Sequence, residues 1–331
     1  MNEQEKYDWM VYVSCMTYNH APYIVDAMNG FTMQETNFPF VCAVVDDAST
    51  DGEQEVIRNY LNEHFNLEDK KVARHEETDD YVLTFAQHKT NLNCYFSVFY
   101  LKYNHYKKKT KAPYLAQWRL KAKYLAICEG DDYWIHPRKL QIQVDYLETH
   151  SEYSMCFHAA EIFVENKCIS KPLQMGLIES REYSASEIYD NWIVPTASIV
   201  RRSKVHIIRD NRFAVSDLVV FLSCAKVGKI YAIGEKMSVY RRHEGGASVT
   251  RMSYIKNINH HLGLREHFPE IKDVIDSHIV RKYVSYLFDG WHSRILFEII
   301  FSLLEHPKYI IPSLMYSFSL AYKRLYNSFI K

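Results

Sequence analysis

An α/β fold built on a mostly parallel sheet, with helices covering both faces, is predicted by three observations in this 331-residue chain. Continuous apolar runs such as "FVCAVVDD" suit strands buried on both sides, as in parallel sheets. The first two runs are each followed by an amphipathic helix, giving the order strand, helix, strand, helix. The runs also end in polar or acidic residues, at "TYN", "DDAST" and "CEGDD", and ligands bind at the carboxyl ends of such strands.

The first strand is "WMVYVSCMTYN", alternating at its start and small and polar at its end. In "HAPYIVDAMNGFTMQ", Ile24, Ala27, Met28 and Phe31 recur at helical spacing, with Pro22 suited to a first turn. The second strand runs into "STDGEQEVIRNYLNEHF", a helix with Thr50 or Asp51 as its cap and Val56, Ile57, Tyr60 and Leu61 as its buried stripe. "KYLAICEGDD" repeats the strand-into-acids pattern, so three strand ends converge on one crevice. "HPRKLQIQVDYLETH" is a helix with Leu140, Val144 and Leu147 on one face and Pro137 in its first turn. Beyond it, "MCFHAAEIFVENKCI" is a strand or hairpin. "NWIVPTASIVRRSKV", "SDLVVFLSCAKVG" and "KIYAIGEKMSVYRRHEGGAS" read as strand, helix and strand. From about Arg251 the pattern is helical.

Lys plus Arg equals Asp plus Glu at 40 each, which argues against nucleic acid as the main partner. Seven scattered cysteines without a CxxC pair suit buried thiols in a reducing compartment, and the N-terminal "MNEQEKYDWM" lacks the apolar core of a signal peptide. A cytoplasmic location is expected. Tyr81 to Cys128 contains basic residues and no acid, which fits either a solvated loop or a surface for phosphates or an anionic membrane. Tyr309 to Tyr322 is uncharged, too short to span a bilayer, and suits either a helix in a membrane interface or a helical hairpin packed on the main domain.

Acids at a parallel strand's carboxyl end can hold Mg²⁺ or Mn²⁺ through hard oxygens, and such a cation neutralises a diphosphate leaving group. Asp131 and Asp132 are one such pair, and Asp46 and Asp47 are another one strand away. Each pair alone also fits a polar turn.

Four stretches in order make a stronger signal: "VSCMTYNHAPYI", "VVDDASTDG", "YLAICEGDDYWIHPRKLQIQVDYL" and "MSVYRRHEGGAS". Over roughly residues 9 to 250 the chain resembles the family 2 glycosyltransferases, nucleotide-sugar enzymes of the GT-A fold. The resemblance implies a Rossmann-like GT-A catalytic domain over residues 1–250 and a helical C-terminal extension over 251–331. It implies inverting, metal-dependent transfer of a sugar from a nucleoside diphosphate, UDP foremost, to a saccharide or lipid-linked acceptor, as in cell-surface polysaccharide synthesis.

Carried over by position, Thr17, Tyr18 and Asn19 line the nucleotide pocket, Asp46 faces the base and Asp47 lies close by. Asp131 is the expected ligand of Mn²⁺ or Mg²⁺, with Asp132 beside it and Glu129 nearer the ribose or sugar. His243 completes the coordination, Arg241 and Arg242 pair with phosphate oxygens, and Gly245 and Gly246 let the loop close over the donor. Trp134 packs under the sugar or acceptor, or else lies in the core. Asp217 in "AVSDLVVFL" is the expected base that deprotonates the acceptor hydroxyl, or else a helix cap. The remaining histidines read as surface or core residues. Between the second strand and the acidic motif, "TNLNCYFSVFYLKYNHYKKKTKAPYLAQW" departs from the family, lacking its Asn-x-Gly turn. A non-catalytic carbohydrate-binding or scaffold protein on the same fold is the alternative, but Asp131 and Asp217 are both present. Sugar-phosphate nucleotidyltransferases need a Gly-rich first loop, which "MTYNHAPYI" lacks.

Overall fold

The computed structural model describes residues 7–108, 119, 121–165, 174–191, 193–246 and 254–289. The chain forms two compact units. The first comprises Met1–Ser184, Trp192–His206 and Val227–Val249, and the second Ala185–Asn191, Ile207–Lys226 and Thr250–Lys331.

The first unit holds one sheet of 11 strands. They are β1 (Trp9–Thr17), β2 (Phe40–Asp46), β3 (Ala73–Glu77), β4 (Tyr81–Gln87), β5 (Cys94–Leu101), β6 (Ala122–Ile127), β7 (Tyr133–Trp134), β8 (Tyr153–Val164), β9 (Arg181–Glu182), β10 (Val200–Arg202) and β11 (Lys229–Arg242). Their order is β3-β4-β5-β2-β1-β6-β10-β8-β11-β7, with β9 on β11. The central strands β5, β2, β1 and β6 are all parallel. This is the expected GT-A arrangement, a large sheet flanked by helices. The register decides the site: Thr17 pairs with Asp46, and Ser14 with Ile127, so β1, β2 and β6 end at the same edge.

Alternation sorts the strand side chains. Val11, Val13 and Cys15 of β1 join Phe40, Cys42 and Val44 of β2 in one cluster, while Tyr12, Val41, Ala43 and Val45 face the other way. Helices α1 (Ile24–Thr32), α2 (Glu53–His64) and α4 (Lys139–Thr149) feed the first cluster; between them in sequence is the single turn α3 (His105–Lys108). All four α1 residues read as its apolar stripe are fully buried, as are Leu140 and Leu147 of α4. In α2, Ile57, Tyr60 and Leu61 are buried and Val56 is half-buried.

Three local details differ from the sequence reading. Pro22 and Pro137 lie just outside their helices, which start at Ile24 and Lys139. The cap of α2 is Gly52 at φ 92°, a left-handed backbone that favours glycine. Asp51 stands one residue earlier, where its carboxylate takes the Glu53 amide at 3.1 Å. Strands β3 and β4 precede the segment in which the chain departs from the family, and β5 lies within it, joining the parallel set beside β2.

The six described cysteines are all buried thiols, and Cys168 lies outside the described residues. Lys139 is fully buried, its Nζ 4.0 Å from the centre of the Trp134 ring and without a hydrogen-bond partner among the described residues. Burial pushes its ammonium down to about 7. Between that value and the ordinary 10.5 the unfolded chain holds the extra proton, so this lysine's penalty is full at and below pH 7 and fades as pH rises. Lys139→Met is therefore expected to stabilise the protein by about 1–3 kcal/mol near neutral pH. Urea unfolding should show the gap between variant and wild type closing toward pH ~10.

In the second unit, α5 (Ala185–Asn191), α6 (Ser216–Val227), α7 (Tyr254–His267) and α8 (Lys272–Asp289) form a helical group. Tyr189 Oη lies 2.8 Å from His261 Nδ1, and Asp190 accepts from His278 at 2.6 Å. No helix among the described residues is long and apolar enough to cross a membrane. The uncharged stretch Tyr309 to Tyr322 lies outside the described residues.

Candidate functional site

The loop after β1 is held in place by α2. Glu53, fully buried in that helix's first turn, accepts from Thr17 Oγ1 through Oε1, and from the His20 amide at 2.9 Å and Ser49 Oγ at 2.8 Å through Oε2. Burial raises the pKa of the Glu53 carboxyl, while these donors work the other way. Asn19 takes a left-handed backbone at φ 57°, which asparagine tolerates. Its amide donates to Ser49 Oγ at 2.9 Å and its Oδ1 accepts the Thr50 amide at 2.8 Å. The loops after β1 and β2 are thus one hydrogen-bonded body. Sequence reasoning passed over Glu53; the only signal was an acid in the first turn of a helix, where the dipole favours it.

The acidic motif packs against the end of β1 and the start of this loop. Beyond β6, the Cys128 amide reaches Ser14 O at 3.0 Å and the Gly130 amide reaches Met16 O at 3.1 Å, continuing the ladder to the edge. A Cβ on Gly130 would lie 2.2 Å from Thr17 Oγ1, so glycine here permits backbone and side chain to touch. Glu129 is exposed, Asp131 is half-buried and Asp132 is buried.

Asp131 Oδ2 lies 3.1 Å from His243 Nε2 and 3.8 Å from His20 Nε2, and the two imidazole rings meet edge to face at 5.8 Å. Among the described residues, His20, Asp131 and His243 are the one group whose donor atoms converge, all within 4.8 Å of each other. One carboxylate oxygen and two imidazole nitrogens are a donor set that a divalent cation accepts.

Other candidates sit differently. Asp132 turns away from the cluster, its Oδ1 accepting the Arg241 amide at 2.9 Å; burial, then the charge of Asp131, pushes its pKa well up. It serves as a buried strut between the acidic turn and β11, because adjacent residues of a turn point in different directions. The Arg241 guanidinium is also committed, 2.6 Å from Asp26 Oδ2, 3.1 Å from Asp131 O, and stacked over Tyr23 and Tyr133. Arg242 is half-buried, and its carbonyl accepts the Glu165 amide at 2.9 Å.

Trp134, one reading of which put it under the sugar, is a core residue: 1% exposed, edge-on to Phe31, with Nε1 donating to Ala197 O at 2.8 Å. Gly30 of α1 abuts the Trp134 backbone.

Asp46 is buried at the end of β2, where Ser49 N and Gln54 Nε2 donate to it and burial raises its pKa. The Asp47 carboxylate accepts the amides of His105 at 2.6 Å and Tyr106 at 3.1 Å, which anchors α3 to the strand edge. Tyr18 is half-buried in the loop after β1. Gly245 and Gly246 border the His243 ring, and neither needs a positive φ. Asp217 is the second residue of α6 in the second unit, inside the helix rather than at its cap, with Ser216 Oγ 3.4 Å from its Oδ1.

Comparison with solved structures identifies the same fold in TarS of S. aureus. The structure of TarS residues 1–349 in complex with UDP-GlcNAc superposes with a TM-score of 0.53 at 15% identity, over 88% of this chain and 79% of that one. The chain shares its fold with TarS. Two mycobacterial proteins, "Uncharacterized protein Rv1520" of Mycobacterium tuberculosis and "Uncharacterized protein Mb1547" of Mycobacterium bovis, are each 27% identical to it. Each alignment spans 91% of this chain and 82% of the relative. No family model matches the chain.

Proposed function

We propose that this protein is an inverting, metal-dependent glycosyltransferase that moves a sugar from a nucleoside diphosphate to a saccharide or lipid-linked saccharide acceptor. The observation that carries the reading is the pairing of Asp131 with His243 at 3.1 Å, at the edge where β1, β2 and β6 end. A family 2 identity is supported by the four ordered stretches, and a UDP-sugar donor by the UDP-GlcNAc held by TarS on the same fold. Cell-surface polysaccharide synthesis is the setting that such an acceptor suggests.

Asp131 and His243 would hold Mn²⁺ or Mg²⁺, and the bound cation supplies charge neutralisation for the departing diphosphate. Thr17, Tyr18, Asn19 and Asp46 shape the nucleotide pocket, and the Glu53 brace keeps the loop after β1 ready for it. Glu129 is exposed at the mouth of the acidic turn, where it can meet ribose or sugar hydroxyls. Asp217 removes the proton from the acceptor hydroxyl as that oxygen attacks the anomeric carbon. The carbon–oxygen bond to the diphosphate breaks on the opposite face, so one displacement inverts the centre.

Thermal unfolding with a set of nucleotide sugars, each with and without Mn²⁺, tests the donor. One UDP-sugar should raise the melting temperature only when the metal is present. With that donor, Asp217→Asn should lower the transfer rate about 10²–10⁴-fold while leaving donor-induced stabilisation intact. Asparagine keeps the size and shape of the side chain in the first turn of α6, so the loss would be chemical. An unchanged rate would place the base elsewhere.

A further inference from the structure

We infer that His20 is a third metal-binding residue: its Nε2 joins Asp131 and His243 in a nitrogen-rich site that favours transition ions such as Co²⁺ over Mg²⁺. This rests on the proposal that a divalent cation sits at Asp131 and His243.

The ring of His20 is oriented by its surroundings. Its amide is fixed by Glu53 at 2.9 Å, and its Nδ1 lies 3.3 Å from Thr17 Oγ1. A threonine hydroxyl has one proton, and that proton is directed at Glu53 Oε1. Toward His20 the same oxygen can therefore only accept, which places the imidazole proton on Nδ1. Nε2 is left as a bare lone pair on the side facing Asp131. At 3.8 Å from Asp131 Oδ2 it is too far for a hydrogen bond.

A lone pair facing a carboxylate gains nothing by itself, whereas the same pair converging on a cation is favourable. Neighbouring donors on one ion, each at about 2.0–2.2 Å, stand about 3–3.5 Å apart. The His243–Asp131 separation already matches, the His20–Asp131 gap of 3.8 Å would close by a few tenths of an ångström, and the three donor atoms all lie within 4.8 Å of one another. The chain Glu53–Thr17–His20 has the form of the outer-shell bonds that fix the tautomer of a ligating histidine. Two imidazoles with one carboxylate suit the later transition ions, and affinity rises from Mn²⁺ to Co²⁺, while Mg²⁺ prefers oxygen.

The test uses the full chain and Co²⁺, Mn²⁺ and Mg²⁺ alone as probes. In His20→Gln the Co²⁺ affinity should fall at least about tenfold while the Mg²⁺ affinity moves little. X-ray absorption of the Co²⁺-loaded wild type should show scattering from two imidazoles, and the variant from one. His20→Ala, checked by near-ultraviolet circular dichroism, should repeat the loss; the backbone bond to Glu53 survives either change. One imidazole in the wild type would overturn the inference. So would wild-type Co²⁺ affinity in both His20 variants while Asp131→Asn and His243→Gln release the ion, and the Asp131–His243 reading would then stand. Failure of the wild type to bind Co²⁺ or Mn²⁺ would overturn both.

Discussion

Asp131→Asn is expected to lower metal-dependent sugar transfer by about a hundredfold or more. The substitution keeps size and shape, so the loss isolates the charge that would hold the cation between His243 and His20. The fold should survive, since the tie from Asp131 to Arg241 runs through the backbone carbonyl at 3.1 Å and is untouched. Asp132→Asn provides the contrast. Its side-chain oxygen can still accept the Arg241 amide, so this variant should keep most of its Mn²⁺ affinity. Titration of Mn²⁺ into both variants, followed by the signal of the free ion, measures the difference. Equal metal affinity in Asp131→Asn and wild type would remove Asp131 from the site.

Gly130→Ala is expected to disable the same site by steric means. The added methyl would stand 2.2 Å from Thr17 Oγ1, 2.7 Å from Thr17 Cβ and 3.2 Å from His20 Nδ1. None of these can yield cheaply. Thr17 is the last residue of β1 and is hydrogen-bonded to buried Glu53, and His20 is fixed through the same carboxylate. Overpacking of this kind costs about 1–3 kcal/mol. The larger consequence is displacement of the turn that presents Asp131, so Mn²⁺ binding should fall together with the unfolding midpoint. A variant that kept full Mn²⁺ affinity would show that the two loops do not position one another.

Much of the frame was legible because it rests on local rules. The apolar runs at β1, β2 and β6, and the helical stripe of Ile24, Ala27, Met28 and Phe31, record burial at fixed periods, and the structure buries them accordingly. Strands β3 to β5 were missed because "YVLTFAQ" and "CYFSVFYL" lie outside the four stretches that match the family and are bounded by polar turns. Trp134 shows the opposite limit: the sequence left core and sugar platform both open, and contact with Phe31 and Ala197 places it in the core.

By itself, the sequence determined that acids stand at the ends of parallel strands, because apolar runs that stop in carboxylates can end only at the sheet's edge. It could not determine which of those acids face one another. Asp131 and Asp132 are neighbours, yet one meets His243 and His20 while the other is drawn inward by the amide of Arg241, from a strand far along the chain. His20, unremarkable among sixteen histidines, enters the site only because Glu53 and Thr17 turn it there. Side-chain direction in a turn is set by the partner that satisfies each buried polar group, and those partners come together only in the tertiary fold.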